Sequence, residues 1–137
     1  MIVSLAAAMG LLLQAGWTWT LYEGDGPLVL ANEIPDTSSL RTTLECQPGS
    51  GAVQVTLYGV DAPGGFVTVS SGAASAVAEA ANRRGGLRTP VRVDHPVFAG
   101  FVATGEMTIS AADRQNRVNI GEADRAKLRR FADRCAG

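Results

Sequence analysis

Segments in which apolar and polar residues alternate, separated by turns rich in glycine and proline, fill most of residues 17–93. The alternation is most regular over residues 52–58, where Val53, Val55 and Leu57 fall on one face. Successive side chains of a β-strand point to opposite faces, so this pattern predicts strands with one buried side. Short turns join neighbouring antiparallel strands. The sequence therefore predicts a β-rich α+β fold whose antiparallel sheet is arranged as a meander or a sandwich.

Two helices are expected to complete the fold. Residues 96–104 begin with a proline, which loses no hydrogen bond in the first turn of a helix, and they end before Gly105. Residues 122–136 form a C-terminal helix that is expected to pack on the sheet through one apolar face. That face contains Leu128, Phe131, Ala132 and Cys135. The predicted core consists of Val53, Val55, Leu57, Val67, Val69, Val97, Phe101, Leu128 and Phe131.

Residues 73–84 are compatible with two structures. Their alanines favour a helix, which Ser71 could cap and the glycines at 85–86 could stop. They also lie between the predicted strands at 66–70 and 87–93, so a further strand of the sheet is equally consistent with the pattern. The sequence leaves both open.

The first residues are typical of an export signal. An apolar stretch of twelve residues, 2–13, has the length of a signal-peptide core and is too short to span a bilayer. We expect residues 1–15 to be a cleaved signal and residues 16–137 to form a single domain. The alternatives are an uncleaved membrane anchor and a buried N-terminal helix. A chain of 137 residues with 46% hydrophobic residues is suited to one core.

The two cysteines also agree with export of the protein. Cys46 and Cys135 lie 89 residues apart, and the single histidine, His95, is not at the spacing of a zinc ligand. In the periplasm or outside the cell they would form one disulfide. Two separate buried thiols are the alternative. No metal or other cofactor is expected.

No set of residues predicts catalysis. Asp94 directly precedes His95, but neighbouring residues on a strand point to opposite faces, so the carboxylate would not orient the imidazole. His95 stands before a proline, which favours a position at the start of a helix. The nucleophile motif Gly-x-Ser-x-Gly does not occur. The sequence therefore favours a protein that is not an enzyme.

Charge is distributed unevenly, with acids concentrated in residues 1–46 and arginines in residues 83–137. Four arginines lie off the apolar face of the C-terminal helix and could bind an anionic partner, or could be solvated and pair with the acidic N-terminal third. They are Arg125, Arg129, Arg130 and Arg134. No run of like charges predicts nucleic-acid binding.

Trp17 and Trp19 form a stripe at strand spacing, with Leu21 as its extension. Such a stripe could bind a carbohydrate or a peptide. A place in the core is the alternative interpretation.

Several segments resemble small periplasmic proteins of alphaproteobacteria, and among them the invasion-associated locus B family. The segments are Phe131-x-x-x-Cys135 and residues 67–72, 94–98 and 104–109. The resemblance implies an exported β-rich envelope protein with no established enzymatic activity, and it transfers no catalytic residue.

Together these observations predict a non-catalytic envelope protein, periplasmic or secreted. It would act as a protein-interaction module or as a subunit of an envelope assembly. The expected partner is another envelope protein, with membrane contact only through the N-terminal segment if that segment is not cleaved. The alternatives are an inhibitor, a module that binds a small ligand or carbohydrate, and, least favoured, an unrecognised enzyme.

Overall fold

Nine strands and two α-helices form the part of the chain that the computed structural model describes, residues 16–83 and 85–137. The predicted export signal at residues 1–15 lies outside the described residues. The strands are β1 Thr18–Tyr22, β2 Leu28–Glu33, β3 Leu40–Cys46, β4 Ala52–Tyr58, β5 Gly65–Ser71, β6 Ala74–Arg83, β7 Gly86–Arg92, β8 Glu106–Ala111 and β9 Arg114–Asn119. The helices are α1 Pro96–Thr104 and α2 Arg125–Ala136, and a 3-10 turn at Glu122–Asp124 precedes α2.

The strands form one strongly curled antiparallel sheet, a half-barrel, in the order β1-β2-β3-β4-β7-β6-β5-β8-β9. This confirms the β-rich fold with a C-terminal helix. A simple meander does not continue past β4, because β4 pairs with β7 and not with β5, the next strand in the sequence. That register places Val53 opposite Val91 and Leu57 opposite Leu87, so both strands bury their apolar side chains on the same face.

The ambiguous segment at residues 73–84 contributes a strand, β6. Two-residue hairpin loops flank it, and each loop contains a glycine with positive φ, Gly72 at 59° and Gly85 at 77°. The alanines at even positions face inward, and Ser75, Val77 and Glu79 face outward into solvent. Pairing with β5 on one side thus overrides the helix propensity of alanine.

All nine predicted core residues are buried. The core lies between the concave side of the sheet and the two helices. Helix α1 packs on β5, β6 and β8, and its Phe98 and Phe101 rings meet edge to face with centroids 5.8 Å apart. Helix α2 packs on β1 and β2. Within the described ranges, no helix is long and apolar enough to cross a membrane.

The C-terminal end of α2 is fastened to the β3–β4 turn. The predicted disulfide between Cys46 and Cys135 is present, with the two Cα atoms 5.8 Å apart. The backbone N–H groups of Gly49 and Gly51 donate to the carbonyl oxygens of Arg134 and Cys135, at 3.0 and 2.8 Å. The turn therefore satisfies carbonyl groups that a helix end leaves without an intrahelical partner.

Candidate partner-binding site

The sheet is split between β6 and β7. These strands pair at only three positions next to their hairpin loop, from Arg83 opposite Gly86 to Ala81 opposite Arg88. Residues 74–80 of β6 pair with β5 alone, and the second half of β7 pairs with β4 alone. The two strands therefore diverge and leave a gap, which we call the β6–β7 gap.

Pro90 explains where the pairing stops. Residues that flank a two-residue hairpin loop form a hydrogen-bonded pair, and such pairs alternate along an antiparallel ladder. Continuing the register from Ala81 and Arg88 would make Glu79 and Pro90 the next hydrogen-bonded pair. Proline has no N–H to donate, so that pair would lack one of its two hydrogen bonds, and the ladder ends before it.

The same alternation identifies the free backbone groups of β6. Even-numbered residues of β6 are hydrogen-bonded to β5, since Ser71 and Ala74 flank the β5–β6 hairpin loop. The N–H and C=O groups of Ser75, Val77 and Glu79 consequently point into the gap. They form an unpaired strand edge, the kind of edge to which another extended chain can be added.

Apolar side chains make up most of the lining of the gap. It encloses about 380 Å³, and its lining includes Val69, Ala76, Ala78 and Val91, together with the polar residues Arg92, Asp94 and His95. Small alanines keep it open, because a larger side chain at these positions would occupy the space. On the outer face, Phe66 and Val77 are 77% and 72% exposed. Because Phe66 pairs with Glu79 and Val77 with Thr68, the two exposed side chains are diagonal neighbours on adjacent strands.

A polar groove lies on the outer face of the sheet at the closed end of the gap. This outer groove encloses about 360 Å³ and is lined by Thr43, Glu45, Thr56, Tyr58, Arg83 and Arg88. The Arg88 guanidinium lies 3.9 Å from the Glu45 carboxylate, and the Tyr58 and Thr43 hydroxyls are 3.5 Å apart. The absence of a side chain at Gly86 lets the Thr56 methyl group pack against the β7 backbone, since a Cβ there would come within 2.8 Å of that methyl group.

The arginines of α2 differ in their surroundings. The Arg130 Nε and Arg134 Nη1 atoms lie 2.7 and 3.0 Å from Oε1 of Glu23, in the loop after β1. The Arg125 Nε lies 3.5 Å from the Ile120 carbonyl oxygen. Arg129 is exposed and is in no ion pair with another described residue. Two of the four predicted partner-binding arginines thus pair with the acidic N-terminal third.

Glu23 makes the stability of the protein depend on pH. Hydrogen bonds from Arg134 and Arg130 hold the pKa of its carboxyl below the ordinary value of 4.5. A carboxyl with a lowered pKa in the folded state stabilises the protein above its unfolded-state pKa, and this stabilisation is lost as the pH falls through the folded-state pKa.

We therefore expect a shallower acid-induced loss of stability in Glu23→Gln than in the native protein. The difference should appear below pH 4.5, the ordinary value for this carboxyl, and should be measured by urea unfolding at a series of pH values. Glu122→Gln is the control, because this glutamate forms no ion pair within the described part of the chain. Identical acid profiles for Glu23→Gln and the native protein would contradict the assignment.

Of the predicted tryptophan stripe, Trp19 lies on the inner face of β1 and Trp17 immediately precedes the strand. Trp19 is 7% exposed and belongs to the core, and the Lys127 ammonium group donates to its backbone carbonyl at 2.7 Å. Trp17 is half-buried, and the Arg41 guanidinium carbon lies 3.9 Å from the centroid of its ring. Trp19 and Arg41 also border a cavity of about 410 Å³ between β9 and the β1–β4 side of the half-barrel.

His95 starts α1, as the following proline suggests. Its Nδ1 atom accepts a hydrogen bond from the Val97 backbone N–H at 3.0 Å, which caps the helix. Asp94 is engaged separately, because a hydrogen bond from Arg92 lowers the pKa of its carboxyl. The two neighbours therefore have different hydrogen-bond partners in the described structure. In the described part of the chain, no three His, Cys, Asp or Glu residues are grouped so that they could hold a metal ion.

No family model, curated protein or solved structure matches the chain.

Proposed function

We propose that this chain is a non-catalytic, exported envelope protein that binds an extended segment of another protein at the free edge of β6. The observation that carries the proposal is the unpaired edge at Ser75, Val77 and Glu79, which Pro90 separates from β7. Strand addition to an exposed sheet edge is a common mode of peptide recognition. Backbone hydrogen bonds supply affinity in this mode, and pockets for alternate side chains supply specificity.

The surroundings of the edge agree with this mode. Alternate side chains of an added strand would point inward to the apolar lining at Ala76 and Ala78, and the others would point outward beside Val77. The expected ligand is therefore a segment in which apolar and polar residues alternate. Export to the periplasm remains part of the proposal and is supported by the disulfide, which is typical of oxidising compartments.

Val77→Pro should weaken this binding without disturbing the pairing of β6 with β5. The substitution removes one N–H group that points into the gap and takes no part in pairing with β5. We expect affinity for the extended segment to fall at least about tenfold, since one backbone hydrogen bond is worth roughly 1 kcal/mol and the proline ring also obstructs its neighbours.

The probe is a synthetic mixture of heptapeptides in which Val, Ile or Leu alternate with Thr, Ser or Asn. Bound peptides are identified by mass spectrometry, and their affinities are then measured by fluorescence anisotropy.

Val77→Thr is the matched control, because it keeps the N–H group and the β-branched shape. It should bind like the native protein. Ser75→Pro, at the next gap-facing position, provides a second test if Val77→Pro lowers the melting temperature. Equal selection of peptides by the native protein and by both folded proline variants would refute strand addition at β6.

The exposed face of α2 is the alternative contact surface. Reversing Arg125 and Arg129 to Glu should leave peptide binding unchanged, since both residues lie on a helix that packs on β1 and β2. Loss of binding in this variant alone would place the contact on α2 and not on β6.

A further inference from the structure

The closed end of the β6–β7 gap limits how far an added strand can run. Beyond Ala80 the edge of β6 is occupied, because Ala81 already pairs with Arg88. A strand that follows β6 towards its hairpin must therefore end there or turn away from the sheet. This constraint applies only if segments bind at β6, so the inference rests on the proposed function.

The charges at the closed end favour one end of a polypeptide. A second cavity of about 270 Å³ shares Pro90 with the lining of the gap, and Arg83 and Arg88 with the lining of the outer groove. Glu79 lines this cavity and Glu45 lines the groove, so two carboxylates face the same two guanidinium groups. Arg88 lies 3.9 Å from Glu45, whereas Arg83 is in no ion pair with another described residue, so a carboxylate that enters the groove would meet a guanidinium group without a partner there.

The geometry of the groups also suits a carboxylate. An arginine side chain presents N–H donors in a planar fork that matches the two oxygens of a carboxylate. The Thr56 and Tyr58 hydroxyls also line the outer groove and offer further donors.

We infer that the bound segment is the carboxyl terminus of its protein, with the terminal carboxylate at Arg83 and Arg88. The segment then runs parallel to β6 and antiparallel to β7, because β6 runs towards the closed end of the gap. Its last residues extend along Val77 and Glu79, and its terminal group enters the outer groove.

The test compares each peptide selected by the native protein with its carboxyl-terminal amide. Amidation should weaken binding to the native protein at least tenfold. In the double variant Arg83→Gln, Arg88→Gln, the acid should bind as weakly as the amide does to the native protein, and amidation should have no further effect. Arg129→Gln is the matched control and should retain the full difference between acid and amide.

Three results would overturn the inference. The first is equal binding of acid and amide to the native protein. The second is an amide with Asp at its last position binding as tightly as the free acid, because the site would then recognise any carboxylate. The third is a full difference between acid and amide in the double variant. In each case a loss of binding in Val77→Pro would still support strand addition, whereas binding that survives both proline variants would refute the proposed function itself.

Discussion

Replacing Cys46 and Cys135 by alanine should lower the free energy of unfolding by roughly 4–5 kcal/mol. The disulfide closes a loop of 89 residues, and the entropy that a cross-link removes from the unfolded chain increases with the length of the loop. A domain of this size is stable by only about 5–15 kcal/mol, so the loss would be a large share of the total. The measurement is urea unfolding of the native protein and the double variant, extrapolated to water.

Reduction of the native protein is the control for this prediction. It breaks the cross-link and keeps both sulfur atoms, which are buried in the core. The reduced native protein and the double variant should lose similar amounts of stability. A loss below about 1 kcal/mol, the size of an average point substitution, would show that the other contacts of α2 hold the helix in place without the cross-link.

Those other contacts are numerous. Beside the two hydrogen bonds from the β3–β4 turn, Glu23 holds Arg130 and Arg134, and Lys127 donates to the backbone of β1. We therefore expect the reduced protein to keep α2 on the sheet and to unfold at lower urea concentration, not to lose the helix alone.

Local patterns in the sequence were sufficient to predict most strands. The alternation at Ala52–Tyr58 predicted β4 with its observed boundaries, and the apolar spacing in α2 predicted which side chains are buried. Both patterns depend on residues that are close in sequence, whose side chains share a face because of backbone geometry alone.

The order of the strands could not be predicted in the same way. In the sequence, two other strands lie between β4 and β7. The pairing of β4 with β7 depends on contacts of Val53 with Val91 and of Leu57 with Leu87. Several strands have apolar residues at alternate positions, so the pattern does not specify which of them are partners. The alanines of β6 add to this problem, because their helix propensity is overridden only by pairing with β5.

The β6–β7 gap was not predicted because it depends on the order of the strands, although one residue in the sequence indicated a strand edge. Pro90 interrupts the predicted strand at residues 87–93, and a proline within a strand indicates an edge. Arg83 and Arg88 carried no comparable signal, since their approach to each other follows from the β6–β7 hairpin. The arginines of α2 were more conspicuous in the sequence, yet two of them are engaged by Glu23.

Gly105→Ala should cost about 2–5 kcal/mol of stability, through two effects that act together. Gly105 ends α1 with a φ of 77°, a left-handed conformation that is unfavourable for a residue with a Cβ. A Cβ at this position would also overlap the carbonyl oxygen of Ile120. Neither chain segment can move easily, because the Gly105 N–H donates to Phe101 at 2.6 Å and its carbonyl accepts from the Ile120 N–H at 2.7 Å.

Gly121→Ala is the matched control for this substitution. Gly121 has a φ of −64°, and a Cβ there would have no neighbour within 4 Å. Alanine at such a position restricts the unfolded chain without straining the folded one, so the variant should be unchanged or more stable by about 0.4–1 kcal/mol. Thermal and urea unfolding of the two variants beside the native protein test the pair. Equal stability of Gly105→Ala and Gly121→Ala would mean that the junction between α1 and β8 can shift away from Ile120, and that the close packing of these segments does not depend on glycine.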